Sequence, residues 1–282
     1  MARLSVNLNK IALLRNARRT GVPDVLRFGR LAHDAGARGL TVHPRPDQRH
    51  IRRGDVPALA AMMRPWRPGF EFNIEGYPDA DFMALVTEVS PEQCTLVPDG
   101  PGVLTSEEGW RLDAGQSAIV RGAVDTLKAM GCRAVVFVDP DPAAAERAAA
   151  VGADGIEIYT GSYGSAFARG DYAESLARCV ETARRAAELG LIVNVGHDLN
   201  LTNLAPLVAA VPDIHEASIG HELTADALEM GWIAAITAYR RALEPGGNPV
   251  WRWRRRGVPR WPQRCRVPLR RKLSRNRSSG GE

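Results

Sequence analysis

The chain has 282 residues, 45% hydrophobic and 24% charged, the balance of an ordinary globular protein and enough to bury a core without staples. No apolar run reaches the roughly 18 residues that a membrane span needs, the opening MARLSVNLNK is too polar for a secretory leader, and four scattered cysteines without a CxxC pair argue against a disulfide framework or a zinc site; a cytoplasmic location is expected. The net charge of +5 divides unevenly: positions 251–282 hold 12 Lys and Arg against Glu282 alone, a net of +11, which leaves positions 1–250 with 25 basic and 31 acidic residues, a net of −6.

The first strand is expected at 4–9 (LSVNLN), with Asn7 and Asn9 alternating onto one face. Lys10 and a basic loop carrying Arg15, Arg18 and Arg19 follow it, and the planar guanidinium fork suits phosphate. A helix over 23–36 leads to a strand at 39–43 that ends on His43. The loop HPRPDQRH then sets His43, Arg45 and His50 between stiffening prolines, an anion-handling unit. The strand at 70–75 ends on Glu75, where burial raises a carboxyl towards the range of a general base. After a helix at 78–89 and a strand at 93–98, the segment GPGVLTSEEGW (100–110) reads as a ligand-contacting loop. Strands at 133–139 and 155–161 flank a helix at 142–152, and the second of them carries Glu157. A helix at 172–190 precedes two strands, 191–196 and 216–220, that finish alike: VNVGHDL places His197 and Asp198, SIGHELT places Gly220 and His221. Glycine lets backbone N–H groups approach a ligand there, and the helix start beyond favours an anion. A single helix over 222–243 closes the pattern; His33 and His215 read as structural.

Eight strands alternating with helices require parallel strands joined by crossovers, and no GxGxxG follows the first strand. A (β/α)8 TIM barrel over positions 1–243 is therefore expected, its strand C-termini converging on the face where chemistry is done. Four of the six histidines (His43, His50, His197, His221) meet Glu75 and Glu157 on that face, the makings of an acid–base site.

Taken in order, VNLNKIALLRNARRT, GLTVHPRPDQRHI, FNIEG, LVPDGPGVLTSEEGW, EIYTG, VNVGHDLNLTNL and ASIGHELTADAL resemble the pyridoxine 5′-phosphate synthase family, from position 4 to about 242. The resemblance implies a homo-octamer of barrels without metal or organic cofactor. It also implies condensation of 1-deoxy-D-xylulose 5-phosphate with 3-amino-2-oxopropyl phosphate to pyridoxine 5′-phosphate, phosphate and water. By motif, His43 and Glu75 match the family's proton acceptors, His197 its proton donor and Glu157 its transition-state-stabilising carboxylate. Arg45, His50 and Thr105 match residues that hold the deoxyxylulose phosphate; Asn7, Arg18, Gly220 and His221 match those that hold the amino-ketone phosphate. Three departures stand out. Asn9 and Lys10 occupy positions where many members have Asp-His; Arg19 replaces a usual Gly; and Asp198 replaces a small residue, its N–H still able to bind while its side chain caps the next helix.

Positions 244–282 lie beyond the resemblance, rich in Pro, Arg and Ser without helical or strand period, and read as a disordered tail. Arginines interleaved with Trp251, Trp253 and Trp261 have the composition of an RNA- or anionic-membrane-binding segment, but the preferred reading is an extension without such a partner. Two other classes compete with the synthase. One is another phosphosugar barrel, such as an epimerase or an imine-forming aldolase with Lys10 as its lysine; the other is a tail-driven nucleic-acid binder on an inactive barrel.

Overall fold

The computed structural model describes residues 1–99, 108–244 and 246. Short β-branched runs become eight parallel strands: β1 (Arg3–Asn7), β2 (Gly39–Val42), β3 (Glu71–Gly76), β4 (Gln93–Leu96), β5 (Arg133–Val138), β6 (Gly155–Tyr159), β7 (Ile192–Gly196) and β8 (Ile214–Ile219). They hydrogen-bond in chain order and close β8 onto β1, the expected TIM barrel. Around them run α1 (Asn9–Asn16), α2 (Val25–Asp34), α3 (Asp55–Met63), α4 (Ala80–Val89), α5 (Ala114–Ala129), α6 (Pro142–Ala150), α7 (Gly161–Arg169), α8 (Ala173–Glu188), α9 (Leu204–Ala210), α10 (His221–Met230) and α11 (Trp232–Ala242). Aspartates start four of these: Asp24, Asp79, Asp113 and Asp141 each accept a backbone N–H of the first turn.

Four expectations change. The first strand stops at Asn7, and the stretch read as a basic loop is helical as α1 up to Asn16, with Arg18 and Arg19 on the turn beyond. The strand at Glu157 stops at Tyr159; of its last two expected residues, Thr160 precedes α7 as its N-cap and Gly161 opens it. The single helix over 222–243 is two, because Gly231 takes φ +89° and turns the chain between α10 and α11. The last strand, expected at 216–220, begins at Ile214 and so takes in His215.

Strand side chains alternate between two environments. Outward positions such as Val6, Leu40, Phe72, Ile74, Val136, Ile156 and Val195 are buried and apolar, and pack into the core under the helices. Inward positions are largely polar. Ser5 and Thr41 share a 2.6 Å hydrogen bond, Thr95 Oγ1 donates to Asn73 Oδ1 (3.1 Å), and Asn194 Nδ2 donates to Gln93 Oε1 (3.1 Å). Barrels of this kind usually fill the axis with bulky branched side chains; here a hydrogen-bonded polar column does so, and it ends at the mouth.

Among the described residues, Cys94, Cys132 and Cys179 are buried free thiols, and no helix is long and apolar enough to cross a membrane.

Candidate active site

A cleft of ≈ 720 Å³ opens at the C-terminal ends of the strands. Asn7, Asn9, Lys10, His43, Arg45, His50, Glu75, Glu157, His197, Asp198, Gly220 and His221 all line it. Of the remaining expected residues, Thr105 lies outside the described residues. Arg18 does not reach the cleft: it is exposed on the turn beyond α1.

The first wall is built by local polar turns. Asn7 Oδ1 accepts the Asn9 N–H (3.0 Å), and Asn9 Oδ1 accepts the His43 N–H (2.9 Å), so β1 and β2 end in one stitched corner. Asn9 thus holds backbone, a task that its amide performs as well as a carboxylate. Lys10 falls on α1, not on a strand, and is half-buried against the cleft.

Arg15, a candidate phosphate ligand in the sequence, is committed elsewhere. Its guanidinium forks onto Asp55 (2.7 and 2.8 Å) and donates to the His50 carbonyl (3.1 Å). Asn16 Nδ2 donates to the carbonyls of Gln48, Arg49 and His50 at 3.2, 3.1 and 2.8 Å. The end of α1 therefore clamps the loop that carries His50. Within that loop Arg45 pairs with Asp99 at 2.5 Å, and His50 Nδ1 accepts the Ile51 N–H (3.0 Å). Burial first, then Arg45, lowers the His50 pKa to about 4, so this ring is neutral at physiological pH.

His43 and Glu75 face each other, Nδ1 to Oε2 at 4.0 Å, and Asn7 Nδ2 donates to the same Oε2 (3.4 Å). They do not form a charged pair. Burial drives the His43 pKa well below 6.5, with Arg45 adding to the effect. Burial and the nearby Asp99 and Glu216 push Glu75 up to about 8. A neutral imidazole base beside a carboxylic acid is the resting arrangement. Glu75, expected as a proton acceptor, is thus drawn towards its protonated form at neutral pH.

Glu157, 1% exposed, is pushed well above the usual carboxyl range by burial, Glu75 and Glu216, and its Oε2 has no hydrogen-bond partner. The neighbouring strand makes room for it: a Cβ on Gly196 would overlap the Glu157 carboxylate.

On the far wall His197 (φ +77°) and Asp198 (φ +55°) take consecutive left-handed conformations, uncommon outside glycine and sparsely tolerated by Asp and His. Thr160 Oγ1 sits between the carbonyls of Gly196 (2.7 Å) and His197 (2.6 Å), and Asn203 Nδ2 donates to the Asp198 carbonyl (2.8 Å), which hold the turn. Burial lowers the His197 pKa while Asp198 opposes that fall. His197 also packs edge-on to Tyr159, ring centroids 5.4 Å apart. Gly220 lets β8 approach β1, since a Cβ there would lie 2.9 Å from Asn7 Cβ, and α10 starts beside it without a side-chain cap, leaving N–H groups for an anion.

Sequence reasoning missed Arg49, Tyr159 and Glu222 on the lining and Asp99 behind Arg45. Arg49 was legible as a second cation in the HPRPDQRH loop; nothing local distinguishes Asp99. His33 stacks on Trp66 at 3.9 Å, the structural role expected. Among the described residues no group of three or more His, Cys, Asp or Glu is arranged to hold a metal ion.

The family model of the pyridoxal phosphate biosynthesis protein PdxJ matches residues 4–245. A pyridoxine 5′-phosphate synthase from Chelativorans sp. is 50% identical over 245 residues, covering 86% of this chain and 98% of its own length. One from Allorhizobium ampelinum is 52% identical over 244 residues, covering 86% and 97%. Among solved structures, a 3-hexulose-6-phosphate synthase aligns with TM-score 0.57 at 13% identity, covering 86% of this chain and 100% of its own. A Mycobacterium tuberculosis tryptophan synthase aligns at 0.58 and 12%, covering 87% and 93%. These last two show the shared barrel alone.

Proposed function

Because the chain belongs to the PdxJ family of pyridoxal phosphate biosynthesis proteins, an enzyme family, we propose that its cleft condenses 1-deoxy-D-xylulose 5-phosphate with 3-amino-2-oxopropyl phosphate into pyridoxine 5′-phosphate, phosphate and water. The observation that carries the proposal is the gathering of His43, Glu75, Glu157 and His197 in one cleft between two anion-competent walls.

Arg45 and His50 hold the deoxyxylulose phosphate, with Lys10 and Arg49 supplying further positive charge on that side, and Thr105 joins them on the family motif alone. Gly220, His221 and the uncapped start of α10 hold the amino-ketone phosphate, with Asn7 beside them; Arg18 completes this set only if its turn closes over the cleft. The amine attacks the sugar ketone and water leaves to give an imine between the substrates; tautomerisation and elimination of inorganic phosphate follow, and aldol-type ring closure with loss of a second water completes the ring. Neutral His43 removes the protons that tautomerisation and ring closure require, Glu75 passes a proton on and is then the second acceptor, and His197 protonates the departing oxygen. Glu157, neutral at rest, donates a hydrogen bond to developing negative charge. On the same family grounds the enzyme is a cytoplasmic homo-octamer, and its catalytic unit ends near position 243.

The test is product formation by purified protein from both phosphates, followed by mass spectrometry and phosphate release. Wild type is expected to yield pyridoxine 5′-phosphate and His43→Ala to lose roughly 10²- to 10⁴-fold in turnover; full turnover in the variant would remove His43 from the mechanism. Borohydride added during turnover is expected to leave Lys10 unmodified, because the imine joins the substrates; a trapped lysine adduct would favour an aldolase. Deleting 247–282 is expected to leave turnover unchanged, and loss of salt-sensitive RNA binding on that deletion would give the tail a partner.

A further inference from the structure

Besides Glu71 at the base of β3, three glutamates project into the barrel: Glu75 on β3, Glu157 on β6 and Glu216 on β8. The first two line the cleft. Glu216 is 2% exposed, lies beneath the cleft and has no part in the chemistry above. The β6–β7 ladder pairs Glu157 with Asn194, and the β7–β8 ladder pairs Asn194 with Glu216, so the three residues form one rung across adjacent strands.

Hydrogen bonds extend that rung across the barrel. Gln93 Nε2 donates to Glu216 Oε1 at 3.2 Å, although β4 and β8 stand on opposite sides of the closed order. Gln93 Oε1 accepts from Asn194 Nδ2 (3.1 Å) and from Arg133 Nε (3.0 Å). Arg133 in turn pairs with Glu71, which Arg3 reaches from the outer end of β1. At the other end of the rung, Glu157 Oε2 and Asn194 Oδ1 are buried acceptors with no partner. Two orphaned acceptor oxygens on one rung call for a hydrogen between or beside them, and a protonated carboxyl supplies one. Buried carboxyls that share one barrel interior disfavour each other's charge, so the group holds its protons more readily than free carboxyls do.

We infer that Glu216 is a positioning residue that stores a proton beneath the catalytic carboxyls and, by its own charge state, sets when Glu75 and Glu157 release theirs. The inference rests on the roles proposed above for Glu75 and Glu157. Its electrostatics agree with the geometry. Burial, then Glu71, raises Glu216 to about 7, against the pull of Arg133, Gln93 and Arg3. Glu216 appears in turn among the charges that raise both Glu75 and Glu157. Proton loss from Glu216 therefore makes its two neighbours hold theirs more tightly, and a neutral Glu216 frees them.

The test is Glu216→Gln in the full-length protein. The pH dependence of kcat is read together with isotope-edited infrared titration of buried carboxyls without substrate. Removing the charge should move the high-pH limb, where the two carboxyls lose the protons they act with, and the carboxyl band to lower pH by roughly one unit, the scale at which two titrating groups count as coupled. Glu216→Asp, which withdraws the charge by one methylene, should move both the same way by less, and it carries the test if Gln does not fold. A folded variant with limb and band unmoved overturns the inference. If neither wild type nor variant turns over the two phosphates, the proposed reaction fails, while the substrate-free band still decides the role of Glu216.

Discussion

Asp198 stands next to the proposed proton donor, where its charge opposes the burial that lowers the His197 pKa. A protonated donor loses activity as pH rises through its pKa. Asp198→Asn removes the opposing charge, keeps a residue type that tolerates positive φ, and is expected to move the high-pH limb of kcat to lower pH; an unmoved limb would leave Asp198 as a turn residue only. Gly196 sets a second condition at this scale. Ala there would drive a methyl group into the Glu157 carboxylate, so Gly196→Ala is expected to cut turnover roughly 10²-fold, the scale of one lost hydrogen-bond donor to developing charge, with a smaller loss of thermal stability.

At the scale of elements, α1 and the β2–α3 loop act as one piece through the Arg15–Asp55 fork and the three Asn16 hydrogen bonds. Asp55→Ala leaves the Arg15 guanidinium, 8% exposed, without its counter-ion, and is expected to cost about 3 kcal/mol in denaturant unfolding, as for other broken buried pairs. This clamp also marks where the sequence stopped being legible. Eight strands were readable because each combines β-branched residues with punctuation by Gly, Pro or Asp. The short α1 was not, since KIALLRN offers only two turns and no capping side chain, and the arginines around it suggested a loop. Arg15 looked like a phosphate ligand because its true partner lies 40 residues away. Helices α10 and α11 merged because the apolar period continues through Gly231, and only backbone conformation reveals the turn. Strand-end residues such as His43, Glu75 and His197 were readable because parallel strands deliver them to one face whatever their partners; Arg18 was not, because a turn beyond a helix has no such guarantee.

For the molecule as a whole, the buried acids and bases set opposing pH dependences of stability. Glu75 and Glu216 have folded pKa values of about 8 and about 7 against an ordinary 4.5. The fold thus favours their protonated forms, a contribution complete below about 4.5 that drains away as pH rises towards 8. His50 runs the other way, from 6.5 down to about 4: its contribution is complete above 6.5 and lost as pH falls through 4. Glu75→Gln, neutral at every pH, is expected to flatten the decline between pH 5 and pH 8 in chemical denaturation; an equally steep decline would place the titrating group elsewhere.

The stitched corner where Asn9 holds the His43 backbone has a thermodynamic consequence. The start of α1 is tied through the Asn9 N–H to Asn7, proposed for the amino-ketone phosphate, and its far end grips the loop proposed for the sugar phosphate. Ordering either wall removes configurational freedom that the other would otherwise lose on binding. The two ligands should then favour each other, and by linkage the factor must be the same whichever is added first. Titration calorimetry with unreactive analogues of each substrate, alone and in the presence of the other, would read that factor directly, and Asn9→Ala should bring it towards one.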